Sequence, residues 1–191
     1  KEELPKGGLI LDIGSGRGIF AKNLAEAGFK VIGIDFEGGI VNSANKEVKN
    51  WGFEGKMKFI ESSALDIPLT DASFDGACDF GLFENLHKED WAQYANEVTR
   101  VLKPGGFYLS VVSSRETPNF FGFSPKNSVD GEVEKYGVHY HFFEKEEMQA
   151  IFAGKLQIIS QQTISAKNKE ERYYLETLFK KPFDIPQSKP L

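Results

Sequence analysis

A run of glycines directly after an apolar segment is the part of this chain best suited to chemistry. Residues 9–18 read Leu-Ile-Leu-Asp-Ile-Gly-Ser-Gly-Arg-Gly, which predicts a strand, the turn Asp12-x-Gly14-x-Gly16-x-Gly18 and then a helix. Glycine has no Cβ, so its backbone can turn sharply and a ligand can approach it closely. A strand, a glycine turn and a helix in this order are typical of a site for a nucleotide-type cofactor.

The spacing of the glycines distinguishes between cofactors. The dinucleotide pattern G-x-G-x-x-G/A requires glycine or alanine where this chain has Ile19, and the third glycine comes one residue earlier, at Gly18. The spacing therefore disfavours a nicotinamide oxidoreductase. Taken alone, the turn leaves open a structural role with no ligand.

Strand and helix patterns alternate along the chain, which favours a parallel sheet covered on both faces. The predicted strands are 9–13, 31–34, one containing Met57 and Phe59, 74–80, 107–112, 156–164 and 172–179. The first predicted helix ends at Gly28. The next three run from Ile40 to Trp51, from Trp91 to Leu102 and over residues 144–153. Only a polar loop separates the last two strands, so we expect them to pair antiparallel. We expect the tail after Lys180 to be loosely attached.

Four motifs resemble those of the class I methyltransferases that use S-adenosyl-L-methionine (SAM). They are Leu-Asp-Ile-Gly-Ser-Gly-Arg-Gly at 11–18, Val-Ile-Gly-Ile-Asp at 31–35, Ala64-x-Asp66-x-Pro68 followed by Ser-Phe-Asp at 73–75, and Arg-Val-Leu-Lys-Pro-Gly-Gly at 100–106. The resemblance covers about residues 9–180. It implies one α/β domain over 1–191 with a Rossmann-like, doubly wound, seven-stranded sheet, mostly parallel with an antiparallel C-terminal strand pair.

The resemblance also implies which residues bind SAM. The backbone of residues 15–18 would line the methionine and ribose, and Asp12 would reach the ammonium group. Asp35 would accept both ribose hydroxyls, because an ionised carboxylate offers two acceptor oxygens. Phe36 would pack on the adenine. The alternative roles are that Asp12 caps the glycine turn, that Asp35 caps the next helix and that Phe36 belongs to the core. The predicted cofactor residues are Asp12, Gly14, Ser15, Gly16, Gly18, Asp35, Phe36, Ser63, Ala64, Asp79 and Phe80.

Two positions depart from the family's pattern. Ser63 stands where the family often has an aspartate for the adenine amino group, and a serine accepts a hydrogen bond without charge assistance. Adenine recognition should therefore depend more on the backbone of Ala64. Asn85 stands where many relatives have a histidine, so no base is obvious there. Asp79 and Phe80 should border the methionine moiety.

Methyl transfer from a sulfonium requires a nucleophile placed in line with the methyl carbon. A general base is needed only when the acceptor carries a proton of high pKa. The candidate bases are His87, His139, His141 and Glu84, and each also suits a packing or surface role, so no catalytic residue is assigned. Cys78, in an apolar run, suits the core.

The expected acceptor is a small molecule. Residues 114–142 break the strand–helix alternation, and long irregular segments in compact domains are often functional. We expect this segment to form an acceptor-side lid. Its region contains the aromatic residues Phe120, Phe121, Phe123, Tyr136, Tyr140, Phe142 and Phe143. They line the acceptor pocket or, alternatively, seal the core beneath a loop.

Composition restricts the partners. The chain has 191 residues and a net charge of −5, which disfavours nucleic acid and anionic membranes. A single cysteine excludes an intramolecular disulfide and a cysteine-based zinc site, so no metal is predicted. With no long apolar run, we expect a cytoplasmic protein. The alternatives are a SAM-binding protein without transferase activity and a protein or RNA methyltransferase.

The start of the chain bears on access to the site. Eight residues precede the first predicted strand, and the chain begins at Lys1 without Met. Related methyltransferases commonly place helices there, over the cofactor. We therefore expect either a further segment upstream or a pocket that residues 114–142 cover.

Overall fold

The computed structural model describes residues 4–166 and 172–183. The strands are β1 Leu9–Ile13, β2 Lys30–Asp35, β3 Met57–Glu61, β4 Phe74–Phe80, β5 Leu102–Ser113, β6 Glu132–Lys135, β7 Val138–His141, β8 Gln157–Ser165 and β9 Tyr173–Lys180. The helices are α1 Ile19–Glu26, α2 Gly38–Asn50, α3 Trp91–Val101 and α4 Lys145–Ile151, with short 3₁₀ helices at Phe83–Asn85, Lys88–Asp90 and Pro125–Asn127. The polar loop around Lys167 and the tail beyond Phe183, discussed above, lie outside the described residues.

Seven strands form one sheet in the order β3-β2-β1-β4-β5-β9-β8. The neighbours from β3 to β5 are parallel, whereas β9 runs antiparallel to both β5 and β8. The strand order reverses between β1 and β4, and ligands of such sheets bind at the carboxyl ends of the strands near that reversal. The predicted fold class, with its antiparallel C-terminal pair, is confirmed.

Helices cover both faces of the sheet. One hydrophobic cluster joins α1 and α2 to β2 and β3 and includes Ala21, Ala44 and Phe59. A second, larger cluster joins α3 and α4 to the other face and includes Tyr94 and Phe152. Because the central parallel strands are buried on both faces, most of their residues are apolar on both sides of the chain. This core holds the carboxyl ends of β1, β2 and β4 in fixed positions.

Two segments differ from the sequence prediction. β5 begins at Leu102, not at residue 107, because Leu102 pairs with Phe74 before a register shift. Within residues 114–142, β6 and β7 form a two-stranded antiparallel hairpin. Its turn residues Tyr136 and Gly137 have φ of 53° and 75°, as a tight hairpin turn with two positive φ angles requires. The segment predicted to be irregular therefore contains regular structure.

No helix in the described ranges is both long enough and apolar enough to cross a membrane.

Candidate active site

A cavity of about 700 Å³ lies at the carboxyl ends of the central strands, with the β6–β7 hairpin on one side. It is lined by Gly14, Ile34, Asp35, Phe36, Ser62, Ser63, Ala64, Leu65, Phe80, Gly81, Leu82, Asn85, Leu86, Gly137, Val138 and His139. Six predicted cofactor residues are in this lining: Gly14, Asp35, Phe36, Ser63, Ala64 and Phe80. The others, Asp12, Ser15, Gly16, Gly18 and Asp79, lie in the strands and turn behind them.

The three glycines of the turn have different surroundings. Gly14, Gly16 and Gly18 all have positive φ, at 71°, 51° and 76°. A Cβ at Gly14 would lie 2.6 Å from Leu82, and one at Gly18 would lie 2.3 Å from the Phe59 ring. A Cβ at Gly16 would meet no atom of the described residues within 4 Å. Two glycines therefore permit close packing, while Gly16 leaves open space at the surface of the turn.

Asp35 ends β2 and lines the cavity. Its Oδ2 accepts a hydrogen bond from the Gly16 backbone N–H at 2.9 Å, and its Oδ1 accepts one from Glu37 at 3.1 Å. The N-cap of α2 is Glu37, whose side chain accepts from the backbone N–H of Gly39. The alternative that Asp35 caps the helix is therefore wrong. Its carboxylate instead fixes the turn and presents acceptor oxygens beside the cavity.

Asp12 is 2% exposed and lies at the centre of the sheet. Its Oδ2 has no hydrogen-bond partner among the described residues, and its Oδ1 is 3.7 Å from the Cys78 thiol. Burial raises the pKa of Asp12 to about 7, and the negative charge of Asp79 adds to the rise. An unpartnered carboxylate oxygen in the interior is costly. A cation close to Asp12 would remove that cost.

Asp79 is fully buried and points into the protein. Its Oδ1 accepts from the backbone N–H groups of Leu82 and Phe83, at 2.9 and 3.2 Å. Its Oδ2 accepts from the hydroxyls of Tyr108 and Ser110, both at 3.1 Å. Burial raises the pKa of Asp79 above its usual range. The side chain thus holds the loop after β4 in place, so a contact with the methionine moiety would have to come from its backbone.

The remaining cofactor candidates differ in how freely their side chains face the cavity. Phe36 is 77% exposed, which excludes the alternative that it belongs to the core. Phe80 packs on Phe20 with ring centroids 3.9 Å apart. The Ser63 hydroxyl accepts from the backbone N–H of Leu65 at 3.1 Å and so stabilises the turn after β3. An exposed aromatic ring at the end of β2 remains available for a flat ligand group.

The four candidate bases lie in different environments. Glu84 is buried, accepts from the backbone N–H of Ser113, and has a pKa that burial raises to about 7. His141 is fully buried against Glu147. His87 is exposed. Among these four residues, all of them described, only His139 lines the cavity.

The aromatic residues of the segment after β5 pack against one another. Phe142 and Phe143 are buried, and the Phe143 ring packs against Phe83 in a tilted arrangement with centroids 5.0 Å apart. In the part of the chain that the structure describes, none of the seven aromatic residues named above lines the cavity. The alternative role of sealing the core therefore fits the buried residues Phe120, Phe142 and Phe143, whereas Phe121 and Tyr136 are exposed. The hairpin wall of the cavity is formed instead by Gly137, Val138 and His139.

Comparison with known proteins identifies the family. Residues 10–106, half of the chain, match a family model described as a methyltransferase domain, and the chain belongs to this family. This match confirms the resemblance to class I SAM-dependent methyltransferases. It includes the glycine turn, Asp35 and the loop after β4.

The similar proteins are enzymes of several kinds. The chain is 34% identical over 102 residues to 24-methylenesterol C-methyltransferase 2 of Oryza sativa subsp. japonica, covering 53% of this chain and 28% of that protein. It is 34% identical over 122 residues to a demethylmenaquinone methyltransferase of Geobacillus kaustophilus, covering 62% and 50%. The chain thus spans half or less of the length of these relatives.

Solved structures share the fold. A 1,6-didemethyltoxoflavin N1-methyltransferase of Burkholderia thailandensis, solved with S-adenosylhomocysteine (SAH), has a TM-score of 0.76 at 19% identity, covering 93% of this chain and 72% of that one. A SAM-dependent methyltransferase of Methanosarcina mazei has a TM-score of 0.79 at 20% identity, covering 95% of both chains. At this identity the likeness concerns the fold alone.

Proposed function

We propose that the chain binds SAM in the cavity and catalyses methyl transfer to a small-molecule acceptor by in-line displacement. The observation that carries the proposal is the open space at Gly16, next to the Asp35 carboxylate. Both lie at the edge of the sheet where such folds bind ligands. Membership of the methyltransferase-domain family supports the same assignment.

The residues present suit the parts of SAM. Asp35 would accept the ribose hydroxyls, exchanging its bond to Gly16 or sharing it. Phe36 and the backbone of Ala64 would hold the adenine, and the unpartnered Asp12 oxygen would attract the ammonium group, directly or through water. When bound, SAM supplies a methyl group already activated by its sulfonium. The protein then has to orient the acceptor and exclude water.

The acceptor side of the cavity is formed by the loop after β4 and the β6–β7 hairpin. Its side chains include Leu82, Leu86 and Val138, which suit an acceptor with an apolar part. The relatives named above act on a sterol and a demethylmenaquinone, and the same class of acceptor, an apolar small molecule, is proposed here. The proposal treats 1–191 as one domain, with residues 114–142 as the acceptor-side lid. It places the protein in the cytoplasm, supported by its single, free cysteine.

The test is calorimetric titration of the full chain with SAM, SAH and NAD, followed by measurement of SAH formation with a panel of apolar phenols, hydroquinones and sterols. We expect SAM and SAH to bind and NAD not to bind. SAH formation with at least one acceptor distinguishes a transferase from a protein that only binds SAM. Failure of both SAM and SAH to bind the folded chain would refute the proposal.

A further inference from the structure

We propose that His139 is the general base that takes a proton from the acceptor, and that Glu134 is the positioning residue that holds its ring. This inference rests on the proposed function and names a residue for its chemical step. His139 lies on β7 and lines the cavity. Its backbone carbonyl accepts from the Asn85 side chain at 2.6 Å, which joins the hairpin to the loop after β4.

The contact with Glu134 determines which ring nitrogen is free. Glu134 stands directly opposite His139 in the hairpin, and its Oε1 is 3.1 Å from Nδ1 of the imidazole. An ionised carboxylate can only accept, so Nδ1 of the neutral ring must carry the proton. Nε2 then keeps its lone pair. This is the tautomer that a general base requires, with a carboxylate in place to stabilise the imidazolium.

Among the residues that the structure describes, the surroundings of Nε2 leave its lone pair without a hydrogen-bond donor, and a bound methyl acceptor would supply one. The His139 side chain is only 10% exposed, and Nε2 is shielded from solvent without a hydrogen-bond partner in the described ranges. Such a nitrogen costs free energy unless a donor reaches it. The ring of His87 packs beside the ring of His139, with centroids 4.4 Å apart. His87 itself is exposed at the surface. Because Nε2 is shielded, the hairpin must shift for an acceptor to reach it.

His141 provides an internal comparison. It lies two residues further along β7 and is fully buried, with Nε2 within 3.1 Å of Glu147 and Nδ1 at 3.9 Å from Glu132. It packs edge-on against Trp91 and is not part of the cavity lining that the described residues form. His141 thus has a carboxylate near each ring nitrogen, whereas His139 has one at Nδ1. Of the two residues, only His139 lines the cavity.

The proposed step is balanced. The acceptor heteroatom forms a bond to the methyl carbon, the carbon–sulfur bond breaks, and its electron pair stays on sulfur to give SAH. The proton of the acceptor passes to Nε2 of His139, and the resulting imidazolium lies against the Glu134 carboxylate. Loss of that proton to solvent after product release restores the base. No oxidant or reductant is needed.

The experiment uses the three histidines of the chain as separate signals. Protein labelled with ¹⁵N-histidine is saturated with SAH, and the imidazole nitrogens are observed by NMR, with each residue assigned by a single His→Asn variant. Before acceptor addition we expect His139 to show a protonated Nδ1 and an unprotonated Nε2. Addition of 1-naphthol, a phenolic probe, should shift Nε2 of His139 towards the hydrogen-bonded position.

Matched variants separate positioning from folding. Glu134 is 64% exposed, so Glu134→Gln should leave the fold intact but allow both tautomers of His139. His141→Asn is the control and should leave the His139 signals as they are. For a hydroxyl acceptor, His139→Asn should lower kcat by about 100-fold or more without changing the Kd of SAH.

Three results would overturn the inference. A protonated Nε2 at His139 in the SAH complex would exclude it as the base. Binding of 1-naphthol, seen by calorimetry, without a change at His139 would place the acceptor elsewhere, and absence of naphthol binding would contradict an apolar acceptor site at this wall. SAH binding is measured in the same samples, so its loss would instead refute the proposed function.

Discussion

The backbone N–H of Gly16 donates a hydrogen bond to the carboxylate of Asp35 at 2.9 Å. This bond ties the glycine turn after β1 to the end of β2. It joins a glycine that faces open space to the acidic residue that lines the cavity. The two residues thereby form one side of the proposed cofactor site.

Replacement of Asp35 by alanine should weaken cofactor binding. Each lost charge-assisted hydrogen bond costs about 1.5–3 kcal/mol, so we expect the Kd of SAH to rise at least about tenfold. Calorimetry of the variant checks this, with circular dichroism to confirm the fold. Glu37→Ala is the matched control, since it removes the cap of α2 without removing a cavity group. An unchanged Kd in Asp35→Ala would assign Asp35 to holding the turn alone.

Replacement of Gly16 by valine should abolish SAH binding. The side chain would occupy the open space at the turn, and the positive φ adds strain of roughly 1–2 kcal/mol. Gly52→Val is the control, because Gly52 also has a positive φ of 74° and open surroundings but follows α2, away from the cavity. Equal SAH affinity in the two variants would show that the turn does not contact the cofactor.

The stability of the chain should fall as the pH rises from about 4 to 7. Burial raises the pKa of Asp12 from 3.8 to about 7, so in this window the folded state binds more protons than the unfolded state. In this window one such group lowers the free energy of unfolding by up to about 1.4 kcal/mol per pH unit. Above the folded-state pKa this dependence on pH ends. Glu84 and Asp79 act in the same direction.

The variant Asp12→Asn isolates the contribution of Asp12 to the pH dependence of stability. Urea unfolding at pH 5, 6, 7 and 8 should give a shallower pH dependence for Asp12→Asn than for the wild type. Glu84→Gln is the comparison for the second raised carboxyl. The same slope in Asp12→Asn and wild type would mean that Asp12 is ionised across this range.

Hydrogen exchange should report closure of the acceptor side. We expect amides in residues 114–142, and those of the β6–β7 hairpin above all, to slow when SAH and an acceptor are both present, and much less with SAH alone. Mass spectrometry of the exchanged peptides measures this. Full protection in the free protein would identify the segment as a fixed wall. No change with any ligand, in a protein shown to turn over, would place the acceptor elsewhere.

Much of the fold and part of the site could be predicted from local sequence. The units β1-α1-β2 and β4-α3 have clear apolar patterns, and the glycine turn with Asp35 identified the carboxyl edge of the sheet. The N-cap of α2 could not be predicted, because its residue is Glu37 and glutamate is not a residue type favoured at that position. Only the geometry shows which carboxylate reaches the helix.

Other features depend on contacts distant in sequence. The direction of the Asp79 side chain could not be predicted, because a parallel strand buried on both faces has no polar face to mark orientation. The strands β6 and β7 have four residues each, too few for a periodic pattern. The cavity residues Gly137 and Val138 were missed for that reason. The one available signal was Gly137, because glycine readily adopts the positive φ that a tight hairpin turn requires.

The most direct test of the central claim is calorimetric titration of the full chain with SAH and, separately, with NAD. We predict that SAH binds with one-to-one stoichiometry, that Gly16→Val abolishes this binding while Gly52→Val retains it, and that NAD produces no binding heat. Binding of NAD in place of SAH, or SAH binding that survives Gly16→Val unchanged, would contradict a SAM site at the turn after β1.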